Sequence, residues 1–257
     1  MKAFLRYLLL LCFLLTLPAC QARGQQVKTF GYKVDEVLPH DAGSYTQGLF
    51  FENGILYESA GQYGQSSFRQ VDLKSGRVAR RMDFDRRYFA EGSCVLNGRL
   101  YVLTWQEHEC LVYDFTTWKK LGTHRYQGEG WGLTTDGKQL IMSNGTSEIT
   151  FRDPGTFQVQ RSITVTLRGQ KVRYLNELEY VKGEIWANVY GNDQIVRIDP
   201  ATGEVRGVIN LRGILPAQLR SGTDVLNGIA YEPRSGAIYV TGKYWPKMYR
   251  ISLVEKK

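Results

Sequence analysis

Residues 88–92 read YFAEG and run directly into the strand-like stretch SCVLNGRLYVLTW. A lone carboxylate, Glu91, thus stands at the head of an apolar segment, one residue before a glycine and among aromatic neighbours. A carboxyl group in such surroundings loses hydration, which disfavours its charged form and raises its pKa, so that it can both take and return a proton near neutral pH. The position recurs along the chain: Gln47, Glu91, Trp131, Asn176 and Asn227 each open a similar segment, and Glu58, Trp105, Asn144, Tyr190 and Lys243 close the segment that follows. Equivalent positions serving only the fold would carry similar residues. Here two acids, amides, indoles, a phenol and an ammonium stand in them, and aromatic walls bearing a few convergent polar heads are the composition of a small-molecule pocket.

The elements that must position these residues are read from a repeat. QGLFFENGILYESAG from 47, EGSCVLNGRLYVLTWQ from 91, WGLTTDGKQLIMSNG from 131, NELEYVKGEIWANVYG from 176 and NGIAYEPRSGAIYVTGK from 227 are each a strand, a Gly-containing turn and a second strand. Asn-Gly and its relatives supply the positive φ angles that tight hairpins demand. A third strand ending near Asp follows most hairpins, as in FRQVDLKSG and QIVRIDPATG, and then a fourth, as in VARRMDF. The hairpin starts are spaced by 44, 40, 45 and 51 residues, the period of a four-stranded propeller blade. The expectation is an all-β fold, a five-bladed β-propeller of four-stranded antiparallel blades, formed as one domain over residues 28–257. Residues 28–41 should add an outer strand that closes the ring, and 209–222 a loop insertion with one helical turn. The first strand of each blade lines the central channel beside the end of the second, which brings both residue series to one face near the axis.

The remaining features bound the partners. The formal charge of +8 comes from Lys and Arg scattered among Asp and Glu, and the densest run, RVARRMDFDRR, is interrupted by Asp83 and Asp85. It reads as a solvated outer face, and no continuous stripe or module for nucleic acid is present. Residues 1–20, MKAFLRYLLLLCFLLTLPAC, have the short positive region and apolar run of an export signal, too short for a lasting membrane span. LPAC at 17–20 resembles a lipoprotein cleavage motif, which makes Cys20 a lipidation site that would tether an otherwise periplasmic monomer to a membrane face; cleavage after Ala22 is the alternative. Cys94 and Cys110 fall on the first and third strands of one blade, about 9–10 Å apart and too distant for a disulfide, so both should be free, buried thiols.

The strings YTQGL, YGQSSFRQV, YFAEG, GWGL, LNELEY, DVLNGIA and TGKYWPK occur in this order from about Val34 to the C-terminus. In them the chain closely resembles the plant-type glutaminyl-peptide cyclotransferases, a family also found in bacteria. The resemblance implies a five-bladed propeller that converts N-terminal glutamine of a peptide to pyroglutamate with loss of ammonia, without a metal or other cofactor. It implies Glu91 as acid/base, Gln47, Asn176 and Lys243 as polar groups around the substrate, with Lys243 either stabilising an oxyanion or pairing with Glu91, and Trp105 and Trp131 as walls. Tyr190 stands where a tryptophan is expected in the plant members, which would alter the pocket there.

Rival chemistries have weaker sequence support. His40, His108 and His124 show no metal-ligand spacing, and Glu91 stands almost alone among amides. There is no G-x-S-x-G elbow, and GEGWG at 128–132 lacks the following helix of a phosphate loop. A non-catalytic, peptide-binding or scaffolding propeller is the second hypothesis, because fold does not fix function.

Overall fold

The computed structural model of the protein describes residues 27–256. The export segment and Cys20 lie outside the described residues. The first strand, β1, is Lys28–Pro39, and four-stranded groups follow it. The first is β2 (Thr46–Glu52), β3 (Ile55–Ala60), β4 (Ser67–Val71) and β5 (Val78–Asp83), and the second is β6 (Ala90–Leu96), β7 (Arg99–Thr104), β8 (Glu109–Asp114) and β9 (Lys120–Arg125). The third is β10 (Leu133–Thr135), β11 (Leu140–Ser143), β12 (Glu148–Arg152) and β13 (Val159–Thr164). After a short hairpin, β14 (Thr166–Leu167) and β15 (Gln170–Lys171), come β16 (Leu175–Val181), β17 (Glu184–Val189), β18 (Gln194–Ile198) and β19 (Val205–Asn210). The chain ends in β20 (Leu226–Glu232), β21 (Ala237–Gly242) and β22 (Lys247–Lys256).

The turns do what their residues dictate. Asn53-Gly54, Asn97-Gly98 and Lys182-Gly183 all have positive φ at both positions, the backbone that matches a two-residue turn to the right-handed twist of its strands. Each of the first three groups forms a separate antiparallel sheet in chain order. The rest form one eight-stranded sheet, β16-β17-β18-β19-β1-β22-β21-β20. Within it two antiparallel meanders join where β1 pairs in parallel with β19, at Lys28–Phe30. β1 also runs antiparallel to β22 from Thr29 to Pro39, so the opening segment covers the outer edge of the last group, as expected. One helical turn, Ala217–Leu219, occupies the 209–222 insertion. The β14–β15 hairpin was not anticipated.

The first strands touch in a closed cycle: β2 with β6, β6 with β10, β10 with β16, β16 with β20, and β20 with β2. Such approach leaves no room for side chains at certain points. A Cβ built on Gly92 would lie 2.7 Å from the Trp131 carbonyl oxygen, and one on Gly132 would collide with the carbonyl of Asn176. Position 177, which is glycine in the other groups (Gly48, Gly92, Gly132, Gly228), carries a buried glutamate. Its carboxyl accepts the backbone N–H of Leu49 (3.4 Å) and Ile229 (2.8 Å), and Glu179 accepts that of Tyr231 (2.9 Å). Burial pushes Glu177 well above the usual carboxylate range, and Glu179 to about 8. These two residues tie neighbouring first strands together at the centre of the molecule.

The apolar core is divided between neighbouring groups rather than gathered in one place. Phe50, Tyr57, Phe68, Leu100 and Leu111 pack between the first and second groups, and Tyr101, Leu103, Leu133 and Met142 between the second and third. Cys94 and Cys110 belong to the latter cluster as free, buried thiols. Burial raises the pKa of both, which makes them small hydrophobes rather than nucleophiles.

Candidate active site

A cleft of about 330 Å³ opens where the first strands begin. It is lined by Gln47, Glu91, Trp105, Trp131, Asn176, Tyr190 and Lys243, the residues singled out in the sequence, together with Tyr45, Gln62 and Phe89. Strand irregularities explain how they converge. The pairing of four of the five inner hairpins slips, between Thr46 and Gly48, Ala90 and Ser93, Leu175 and Leu178, and Leu226 and Ile229, whereas β10 and β11 pair without a slip. Gln47, Glu91, Asn176 and Asn227 therefore sit in β-bulges, which re-aim a side chain away from the regular pleat. The Glu91 backbone is pinned by Ser59, whose hydroxyl donates to its carbonyl at 2.7 Å.

Glu91 is the buried acid of the cleft. Its Oε1 accepts the Gln47 amide N–H at 3.0 Å, and the Gln47 carbonyl accepts from Asn227 Nδ2 at 3.3 Å, which fixes the Gln47 amide orientation. Burial drives the Glu91 pKa well above the usual carboxylate range; Lys243 pulls it down, and Glu129 and Glu107 push it further up. Lys243 is buried over the rings of Tyr45 (4.5 Å) and Tyr190 (5.4 Å). Burial lowers its pKa, against the opposing pull of Glu91 and Asp224. Both groups are thus pushed towards their neutral forms, the condition in which a small change of surroundings moves a proton.

The walls are aromatic. Trp105 meets Phe89 edge to face at 5.5 Å, and Trp131 meets Tyr190 likewise at 5.7 Å. Both indole N–H groups point to a single oxygen of Glu129, at 2.8 and 2.9 Å. Tyr190 is 41% exposed and forms the rim. Asn176 Oδ1 is buried and has no hydrogen-bond partner among the described residues. An unmet acceptor costs free energy unless a ligand donor reaches it.

The register places three candidate positions elsewhere. Asn227 lies deeper, donating to the Thr46 carbonyl at 2.8 Å and to Gln47. Asn144 caps its own turn by accepting from the Thr146 hydroxyl at 2.6 Å. Glu58 faces away from the cleft: the residues paired with Thr46, Ala90, Leu175 and Leu226 are Ala60, Thr104, Val189 and Gly242, so the counterpart of Trp105, Tyr190 and Lys243 is Gly61. Glu58 instead accepts from Ser44 (2.6 Å), Thr46 (2.7 Å) and His40 Nε2 (3.0 Å). Burial alone would raise its pKa, but His40, Arg69 and Ser44 hold it at about 2. The other His40 nitrogen reaches the Trp245 carbonyl at 2.6 Å, so the ion pair anchors the TGKYW segment that carries Lys243. Tyr45 and Phe89 went unnoticed although a sequence signal existed: each lies two residues before a polar head, on the same side of an extended chain. Gln62, in a turn with φ of 100°, had none.

A family model described as glutamine cyclotransferase matches residues 7–253. A glutaminyl-peptide cyclotransferase of Arabidopsis thaliana is 44% identical over 222 residues, which span 84% of this chain and 69% of that protein. The crystal structure of Myxococcus xanthus glutaminyl cyclase superposes with a TM-score of 0.84 at 36% identity, covering 90% of this chain and all of that one. The WD40 β-propeller domain of Doa1, at 14% identity, 79% and 62% coverage and a TM-score of 0.50, shares the fold alone. The match along nearly the whole chain shows that this protein belongs to the glutamine cyclotransferase family.

Proposed function

We propose that the cleft is the active site of a metal-independent glutaminyl-peptide cyclotransferase, which closes N-terminal glutamine of a peptide to pyroglutamate and releases ammonia. The observation that carries this reading is a single buried carboxyl, Glu91, inside an aromatic cleft with one ammonium, Lys243, across it. Among the described residues no three His, Cys, Asp or Glu side chains converge as metal ligands, and proton transfer by one carboxyl meets the chemical need. Family membership and the Arabidopsis relative support the same activity.

The reaction follows from the residues. The α-amine nitrogen attacks the side-chain amide carbon, forming a five-membered ring and placing negative charge on the amide oxygen. Trp105, Trp131 and Tyr190 confine the side chain to the folded shape that attack requires, a contribution that can be large. Glu91 carboxylate takes a proton from the attacking amine, and the resulting acid gives it to the departing nitrogen, which leaves as ammonia. Lys243 faces the oxyanion, the role favoured by its seat on two aromatic rings rather than in an ion pair with Glu91. The unmet Asn176 Oδ1 accepts an N–H of the substrate amide or amine, and Gln47 holds Glu91 in place.

We also read the four-stranded groups as the blades of a five-bladed β-propeller, supported by the cyclic contacts of β2, β6, β10, β16 and β20. Residues 1–20 are read as an export signal, with Cys20 lipidated or cleavage after Ala22; incorporation of a fatty-acid analogue distinguishes the two. Mass spectrometry of a short peptide beginning with glutamine tests the activity: loss of one ammonia is expected, and none from the same peptide with an acetylated α-amine. Binding of the glutamine peptide without turnover would instead establish the non-catalytic, peptide-binding alternative.

The displaced Glu91 pKa has a consequence for stability. A carboxyl whose folded pKa exceeds its unfolded value binds protons more tightly when folded, so it weakens the fold as pH rises from the unfolded to the folded pKa. Glu91→Gln, neutral and of similar shape, should match the wild type in heat stability below about pH 4 and exceed it at higher pH. Each unit of pKa elevation corresponds to about 1.4 kcal/mol. Thermal unfolding of both proteins across pH checks this, and equal stability at all pH would contradict it.

A further inference from the structure

Glu129 occupies, in the third group, the position two residues before the cleft residue that is aromatic in the first two groups, Tyr45 and Phe89. Its Oε2 accepts both pocket indoles, Trp105 Nε1 at 2.8 Å and Trp131 Nε1 at 2.9 Å, while Oε1 accepts the Gln106 amide at 3.1 Å. The backbone beneath it is fixed: Gly130 N–H donates to the Trp105 carbonyl at 3.1 Å, and His108 Nδ1 lies 2.6 Å from the Gly128 carbonyl. Two tryptophans from different groups are thereby held by one carboxylate oxygen. Hydrogen bonds to an ionised acceptor are shorter and stronger than neutral ones, and the bonds from Trp131, Gln106 and Trp105, outweighing partial burial, keep Glu129 below the usual carboxylate range.

We propose that Glu129 is a positioning residue for the cyclisation: through one shared oxygen it sets the spacing and tilt of Trp105 and Trp131, and so the shape of the slot that folds the glutamine side chain. Nothing else among the described residues receives these indole N–H groups. Without the carboxylate each indole would rotate about its side-chain bonds against Phe89 or Tyr190, and the slot would lose its fixed width. The inference rests on the cyclotransferase reading for its kinetic consequence but not for the clamp itself.

The test compares Glu129→Ala with Glu129→Gln in the full protein. Alanine removes the acceptor, whereas glutamine keeps a carbonyl oxygen that can receive both indoles, while its NH₂ donates to the Gln106 carbonyl oxygen once the exposed Gln106 amide, now the donor to Glu129 Oε1, turns over. Alanine should raise KM for a glutamine-initiated peptide about tenfold, and glutamine should restore it to within about threefold of wild type. In ¹H–¹⁵N spectra the Trp105 and Trp131 indole N–H signals should move upfield in Glu129→Ala and remain near their wild-type positions in Glu129→Gln. An unchanged KM in the alanine variant, or a glutamine variant as impaired as alanine, would overturn the proposal. Indole signals unmoved by alanine would overturn it independently of turnover, whereas a wild type that releases no ammonia but shows the expected signal shifts would defeat the functional reading and leave the clamp established.

Discussion

Glu91→Gln is expected to lower kcat for ammonia release by about 10²–10⁴-fold, the usual worth of a positioned general acid/base, with KM changed far less. Glutamine fills the same volume and keeps an oxygen for the Gln47 amide, which Glu91 Oε1 now receives at 3.0 Å. It cannot take a proton from the attacking amine or return one to the departing nitrogen. The loss should therefore fall on the chemical step, as for an interaction realised only in the transition state. Steady-state kinetics on a glutamine-initiated peptide reads this directly, and a variant within tenfold of the wild-type kcat would remove Glu91 from the proton path.

Lys243→Met should have the next largest effect, lowering kcat by about 10²–10³-fold, as loss of one oxyanion donor does in a water-poor site. Methionine keeps an unbranched, flexible stem against Tyr45 and Tyr190, so the cleft should retain its shape. Two consequences follow from removing the ammonium. The oxygen of the tetrahedral intermediate loses its counter-charge, and Glu91 loses the group that pulls its pKa down, leaving less carboxylate at neutral pH to accept the amine proton. Both act in the same direction on kcat. A raised KM with unchanged kcat would instead assign Lys243 to uniform substrate binding.

The ring and the acid were legible in the sequence because they rest on local chemistry. Asn53-Gly54, Asn97-Gly98 and Lys182-Gly183 mark hairpins by the backbone angles they permit, and their spacing places the strand heads where Gln47, Glu91, Trp131 and Asn176 stand. The second series was harder to read, since a bulge inserts a residue without leaving a mark in composition. Glu58 was consequently assigned to the cleft when Gly61 occupies that position, and its true partner, His40, lies on a segment that reaches it only in three dimensions. Glu129 was hidden for a related reason: GEGWG resembles a loop signal, and only the folded chain brings Trp105 and Trp131 to one oxygen. The β14–β15 hairpin and the parallel β1–β19 contact are too short to carry any periodicity.

In the proposed reaction one carboxyl, Glu91, without a metal, carries the proton from amine to leaving nitrogen. Ammonia release from a glutamine-initiated peptide, measured side by side for wild type and Glu91→Gln after treatment with a strong chelator, decides whether it does. Full wild-type turnover after chelation and its collapse in the variant are expected. Turnover abolished by the chelator, or retained by Glu91→Gln, would contradict it.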